Sequence, residues 1–312
     1  MDVPEAYARY VKEPSSFAFP ERVTVELSDR CNLTCPMCPR SFHKGEGLME
    51  WDLYEKIVEE VSRHPGTAFV PFFRGESTMH PRFLEAMRLA KSKGIGPVQL
   101  VTNATLLDSD LSRALISLPI DFISFSLDAA SKKTYEKQRE GGDWAEVMSN
   151  VAAFINLRER KKGRLPEVQV SAVETDLTRP EMPEFIEYWK TRVDRVRIYE
   201  EHSQGGVFGC LPGLEGPRRP CGKPLSDLVI YCDGKVALCN QDWERKEPLG
   251  DIRHQTIEEV WKSAAYHKVR MAHFEGHPED DPSCRGCGHW AAYYRPGGII
   301  GRLVEGTPGW RG

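Results

Sequence analysis

With 312 residues the chain is long enough for one barrel-sized core and a smaller satellite, because single cores stop growing at about 250 to 300 residues. Its 42 Lys and Arg against 46 Asp and Glu give a net charge of −4 with no long basic run, which argues against a nucleic-acid partner. No apolar stretch nears the roughly 18 residues of a membrane helix, and residues 1–20 lack a signal-peptide pattern, so a cytoplasmic protein without a membrane partner is expected.

After an N-terminal extension, residues 1–20, short β-rich runs alternate with amphipathic stretches. The first strand is predicted over Arg22 to Leu27. A helix follows over Trp51 to Arg63, where Leu53, Ile57, Val58 and Val61 recur at helical spacing. Next come a strand over Thr67 to Phe73, a helix over Pro81 to Lys93, a strand over Val98 to Thr102 and a helix over Ser109 to Leu118. The series continues with a strand over Asp121 to Ser126, a helix over Trp144 to Glu159 and a strand over Glu167 to Ala172. It ends with a helix over Pro180 to Lys190 and a strand over Arg195 to Tyr199. Such alternation implies parallel βα units, and six are too few to close an eight-stranded barrel. The fold class is therefore α/β, an open partial (β/α)6 TIM-like barrel over residues 21–203.

The texture then changes to a Gly- and Pro-rich stretch, 204–220, read as a linker or active-site loop. Beyond it a hairpin is predicted, Leu228 to Tyr231 and Lys235 to Leu238 about the turn Asp233-Gly234, and then a helix over Thr256 to Ala265. Residues 221–312 are expected to form a small α+β domain and tail.

Nine cysteines are many for a cytoplasmic chain, and an odd number cannot all pair, so metal or cluster ligation is the better account. Cys31, Cys35 and Cys38 lie in CNLTCPMC directly after the first strand, where parallel α/β folds place active sites. Three close thiolates with no fourth ligand nearby make a poor structural zinc site. A cubic iron–sulfur cluster with one open iron fits them. Cys221, Cys239, Cys284 and Cys287 form a second set, whose spacing alone suits either zinc or a fully ligated cluster.

CxxxCxxC after a first strand resembles the signature of the radical S-adenosylmethionine (SAM, AdoMet) superfamily. In that family AdoMet chelates the open iron of a [4Fe–4S] cluster, and its reductive cleavage yields a radical that abstracts hydrogen from substrate. The resemblance extends to Arg74-Gly75-Glu76 in FFRGESTMHP, similar to the family's GGE motif, whose carboxylate and backbone hold the AdoMet amino group. Arg74 stands where Gly is usual, and its side chain is expected to crowd the methionine end or reach a substrate anion. Asn103 in LVTNATLL, with Ala104 replacing a Gly, Ser126 in FISFSLDA, Arg139 and Met37 complete the AdoMet contacts that the resemblance implies. An Arg fork suits the AdoMet carboxylate. Taken singly, Glu76 would be a polar strand end and Arg139 a solvated charge.

Residues 221–287, with their DG turn, LGDI segment and EEVW helix start, are similar to the twitch and SPASM auxiliary-cluster domains of the same superfamily, most like those of aminocyclitol and aminoglycoside dehydrogenases and epimerases. Four ligands imply one auxiliary [4Fe–4S] cluster, and so two clusters in all. Cys210 and Cys232 are left over; each is either a buried small hydrophobe or a donor that returns a hydrogen atom to a substrate radical. Arg197, with Tyr199, Glu200, Glu201 and His202, is a candidate for substrate binding or proton acceptance.

The function expected is hydrogen abstraction from a sugar- or aminocyclitol-type small molecule in natural-product biosynthesis, ending in oxidation or epimerisation, with flavodoxin or ferredoxin as electron donor. Maturation of a ribosomally made peptide, by epimerisation or crosslinking, is the alternative. Only about twenty residues precede the first strand, short for a leader-binding domain. A non-enzymatic zinc-binding module is the third reading.

Overall fold

The computed structural model describes residues 2–42, 47–161, 165–201, 218–243, 247–294 and 302–304. In chain order its elements are α1 (Val3–Lys12), β1 (Arg22–Val25), α2 (Trp51–Val61), β2 (Ala68–Val70), α3 (Phe83–Ser92), β3 (Gln99–Thr102), α4 (Ser109–Ser117) and β4 (Phe122–Ser126). There follow α5 (Lys132–Gln138), α6 (Trp144–Arg160), β5 (Glu167–Glu174), α7 (Met182–Trp189) and β6 (Arg195–Glu200). The C-terminal part holds α8 (Lys223–Ser226), β7 (Asp227–Ile230), β8 (Val236–Ala237), α9 (Ile257–Trp261), α10 (Ala264–Glu275) and β9 (Arg302–Val304).

Strands β1 to β6 are parallel and lie in sequence order, β1 beside β2 in one sheet and β3 to β6 in another, with a bridge from Phe69 to Val98 joining the two. This is the open partial barrel expected from six βα units. One edge continues through β7, which pairs parallel with β1 from Arg22↔Asp227 to Val25↔Ile230, and ends on antiparallel β8. The other edge is capped by antiparallel β9 on β6. The hairpin of the second cysteine region is thus an extension of the barrel sheet itself. Its turn closes at Gly234, φ +89°, a conformation that glycine adopts without strain.

Strand alternation decides what each face meets. Val23 and Val25, Ile123 and Phe125, Val168 and Val170, and Val196 and Ile198 belong to the main apolar core, where Phe125 meets Phe154 of α6 edge to face. The intervening residues face the barrel interior: Arg22 and Thr24, Ser124 and Ser126, Gln169 and Ser171, Arg195 and Arg197. Gln169 Nε2 donates to Ser124 Oγ across that face at 2.9 Å. Closed (β/α)8 barrels fill this space with branched apolar side chains; here polar side chains share it with Val70, Phe72 and Phe73.

Helices α5 and α8 and strand β9 are not among the predicted elements, and two further regions differ from expectation. The N-terminal extension contains α1, capped by the Asp2 carboxylate on Glu5 N–H, with Val3, Ala6, Tyr7 and Tyr10 buried. Tyr7 donates to the Cys221 carbonyl, the Tyr10 hydroxyl meets His267 Nδ1, and the Phe17 carbonyl receives the Trp261 indole N–H, so the chain's start packs on its C-terminal part. The helix expected over Thr256 to Ala265 is two, because Ser263 caps a new one by accepting from Tyr266 N–H.

Helix α2 ties the barrel to this region. The buried Glu60 carboxylate accepts the N–H groups of Ile257 and Glu258 at 2.8 and 2.9 Å, and Lys56 donates to the Ile252 and Gln255 carbonyls. Glu60→Ala strands those donors and is expected to lower the unfolding free energy by about 2 kcal/mol in urea denaturation. A change under about 0.5 kcal/mol would show that water replaces the carboxylate.

Candidate active site

The cysteine loop leaves β1 and is held from two sides. From β2, Glu76 N–H donates to the Arg30 carbonyl at 2.7 Å; from the end of α5, the Glu140 carbonyl accepts from Thr34 N–H at 2.9 Å. A Cβ on Gly75 would come within 3.0 Å of the Ser28 and Arg30 carbonyl oxygens, so this position takes only glycine without displacing the loop.

Glu76 is buried and its carboxylate joins two strand ends. It accepts from Thr102 Oγ1 at 2.8 Å, Asn103 N–H at 2.8 Å and Thr78 Oγ1 at 2.7 Å. Burial pushes its pKa above the ordinary carboxyl range despite these donors, the first of which is Asn103 N–H. Asn103 in turn donates from Nδ2 to Asn32 Oδ1 at 3.0 Å and lies 3.9 Å from Cys31 Sγ. Ala104 next to it sits at φ +61°, which explains why glycine is the family's usual residue there.

The guanidinium of Arg139 is bonded through Nε to the Asp128 carboxylate and places Nη1 3.9 Å from Cys35 Sγ. Burial opposes its charge, but Asp128 and then Cys35 outweigh that, and its pKa is raised. Burial pushes the Cys35 thiol up to about 11, with Arg139 pulling it down; Cys31 and Cys38 are also raised by burial. A bound cation reverses this balance, because ligation removes the thiol proton.

Cys31, Cys35, Met37 and Cys38, the Arg74-Gly75-Glu76 segment, and Asn103, Ser126 and Arg139 all line one cavity of about 800 Å³. Its volume falls within the roughly 300–1,000 Å³ of small-molecule sites. On its other wall stand Arg22 and Thr24 of β1, with Lys223, Asp227, Asn240 and Gln241 from the C-terminal part.

Arg74 lines this cavity, yet its guanidinium is packed among Phe73, Tyr231 and Trp243, 4.9, 4.5 and 5.5 Å from their ring centres. It also donates to the Asp242 carbonyl and lies 4.0 Å from Glu26 Oε1. It therefore ties the Gly75-Glu76 segment to the C-terminal hairpin. Arg197 shares the inner face with Ser171 and Ser126 by register but does not line the cavity. Neither does Cys232, which is buried with its N–H on Glu26 Oε2. Cys210 and His202 lie outside the described residues.

The second cysteine set converges. Cys239 feels Cys287, Cys284 and Cys221, and burial, ahead of these neighbours, raises its pKa well above the ordinary thiol. Sequence reasoning missed His273: its Nδ1 accepts Cys221 N–H at 3.1 Å and its Nε2 lies 3.5 Å from Cys284 Sγ. Burial lowers its pKa to about 3, so the ring is neutral and the Nε2 proton points at sulfur. Asn32, Asp128 and the Lys223–Asp227 pair were missed as well. Asn32 and Asp128 meet partners 71 and 11 residues away, and the Lys223–Asp227 pair, though only four residues apart, carries no motif.

Comparison with known proteins now has a geometry to meet. The radical SAM superfamily model matches residues 25–165, and an iron-sulfur cluster-binding domain model, SPASM, matches 221–288. The tungsten-containing aldehyde ferredoxin oxidoreductase cofactor-modifying protein of Pyrococcus furiosus is 30% identical over 291 residues, spanning 78% of this chain and 81% of that one. The chain belongs to the radical SAM superfamily. An S-adenosyl-L-methionine-dependent 2-deoxy-scyllo-inosamine dehydrogenase of Niallia circulans is 23% identical, over 85% of this chain and 91% of its own. In fold, this radical SAM chain is similar to Streptococcus suis SuiB bound to precursor peptide SuiA, with TM-score 0.69 and 12% identity, over 95% of this chain and 78% of that one.

The cofactors of a radical SAM enzyme with a SPASM region are AdoMet and [4Fe–4S] clusters, and the residues present fit them. No disulfide joins the described cysteines, and seven of the eight fall into a group of three at the cavity and a group of four with His273 beside it, Cys232 belonging to neither. Three ligands leave an iron open, and four do not. Gly75→Ala is expected to cost about 2 kcal/mol or more of stability and to lower iron retention at the first group. Unchanged melting and iron content would show that the loop yields to a methyl group.

Proposed function

We propose that this radical SAM oxidoreductase dehydrogenates a small polyol or aminated cyclitol inside the barrel. The observation that carries this reading is the set of polar residues on the cavity wall, Arg22, Thr24, Ser126 and the Lys223–Asp227 pair among them, in a cavity that the three-thiol group lines and whose Lys223 is within electrostatic reach of the four-thiol group. Hydroxyl-rich substrates need such hydrogen-bonding walls, whereas an apolar substrate would strand them.

Cys31, Cys35 and Cys38 would hold the catalytic cluster, with Glu76, Asn103, Ser126, Arg139 and the backbone at Met37 and Gly75 orienting AdoMet. Cys221, Cys239, Cys284 and Cys287 would hold the auxiliary one. When bound and reduced, AdoMet and its cluster supply a carbon radical that removes a substrate hydrogen atom. The barrel walls would orient the C–H bond and exclude bulk water, and the four-thiol group near Lys223 would receive the second electron. Flavodoxin or ferredoxin fits as the donor of the first. Dehydrogenation is preferred to epimerisation because Cys232, one of the two thiols that could return hydrogen, does not line the cavity. No helix among the described residues is long and apolar enough to cross a membrane, and the free thiols suit a reducing cytoplasm.

The test is anaerobic reconstitution with AdoMet and a strong reductant, followed by assay of 5′-deoxyadenosine beside a Cys31→Ala, Cys35→Ala, Cys38→Ala variant. A panel of inositols, 2-deoxy-scyllo-inosamine and short peptides supplies the substrates. Formation by the wild type alone, with a cyclitol product lighter by one hydrogen molecule, is expected. A product of unchanged mass carrying solvent deuterium would establish epimerisation instead, and turnover confined to the peptides would overturn the small-molecule reading.

A further inference from the structure

On the cavity wall, two residues from a member of the four-thiol group, stands a largely buried ion pair that no motif announces. Lys223 follows Cys221 by two residues, and its backbone N–H is turned onto the Cys221 sulfur. Its Nζ meets Asp227 Oδ2 at 2.5 Å and lies within electrostatic reach of Cys239 and Cys221. Asp227 also accepts from Ser226 Oγ at 2.7 Å and faces Arg22 across the β1–β7 register. Both members of the pair line the cavity.

Stability does not account for this arrangement. Taking two charges out of water costs several kcal/mol per ion, and well-packed apolar residues at such a position are often as stable or more so. The order of charges has another consequence. Of the two charges, the Cys221 sulfur feels the Lys223 cation more strongly than the Asp227 anion. Iron–sulfur potentials follow the net charge and hydrogen bonding around the sulfurs, and a nearby fixed cation favours the reduced, more negative state.

Resting on the reading above, we propose that Lys223 poises the auxiliary cluster as the electron acceptor for the substrate, with Asp227 as the positioning residue that fixes and moderates its charge. In the reaction a carbinol would lose a hydrogen atom to the AdoMet-derived radical, a hydroxyl proton to water and one electron to the auxiliary cluster. The C–H and O–H bonds would break and the carbonyl form, with the cluster held by Cys221, Cys239, Cys284 and Cys287 taking up the electron. Lys223 lines the cavity, so its remaining N–H donors would be available to the substrate oxygen as it acquires negative charge.

Redox titration of the reconstituted full-length enzyme, followed by electron paramagnetic resonance without substrate, tests this. Lys223→Met is expected to make reduction of the auxiliary cluster at least tenfold less favourable, a fall of about 59 mV for one electron. Asp227→Asn is expected to move it the opposite way, and neither variant to move the AdoMet-binding cluster. Lys223→Arg, which keeps the charge, is expected to stay within about threefold of wild type, and so guards against a merely disruptive Lys223→Met. Potentials unmoved in both variants, or moved in the same direction, would overturn the inference while leaving the two-cluster reading intact. Zinc in the four-thiol group would overturn both.

Discussion

A carboxylate removed from water must find hydrogen-bond donors or stay neutral, and Glu76 finds them on two strands at once. Its oxygens gather the Thr102 hydroxyl, the Asn103 N–H and the Thr78 hydroxyl, which fixes the ends of β2 and β3 against each other. Its own N–H anchors the cysteine loop through Arg30. Because the residue before it is Gly75, the loop can approach the strand end closely enough for this to happen. Three thiols, an asparagine and an arginine then share one cavity wall, and the radical SAM chemistry depends on that wall being rigid before any cofactor arrives.

The opposite wall has a different origin. The barrel is open, so its interior has no closing strands to fill it, and alternation on β1, β4, β5 and β6 leaves polar residues facing inward. Strand β7 joins β1 edge to edge, carrying Asp227 into line with Arg22 on the cavity wall. Helix α1 and the Glu60 contacts fasten the same region from outside. The cavity wall and the segment that carries the second cysteine group are thereby joined through one sheet.

Much of this was legible in the sequence because the signals are local. Each of the six barrel strands is a short run with alternating apolar residues, and Leu53, Ile57, Val58 and Val61 mark one helix face by spacing alone. The cysteine groups are visible for the same reason. What escaped is built from long-range pairs: Arg139 with Asp128 at an Asp in a left-handed conformation, His273 with Cys284, and Glu60 with the start of α9. Helix α5, KKTYEKQ, has too few apolar residues to show a period, and depends on Ser131 and Glu181 for its N-terminus. Arg74 shows the limit of motif reading: it lines the cavity with Gly75 and Glu76, but its side chain is committed to three aromatic rings of its own structure.

The central claim is that two distinct iron–sulfur centres flank one cavity and that AdoMet meets only the first. Electron paramagnetic resonance of the reduced, anaerobically reconstituted protein, recorded with and without AdoMet, tests it directly. The account predicts two cluster signals, one altered by AdoMet and one indifferent to it. A single signal, or two signals that both ignore AdoMet, would contradict it.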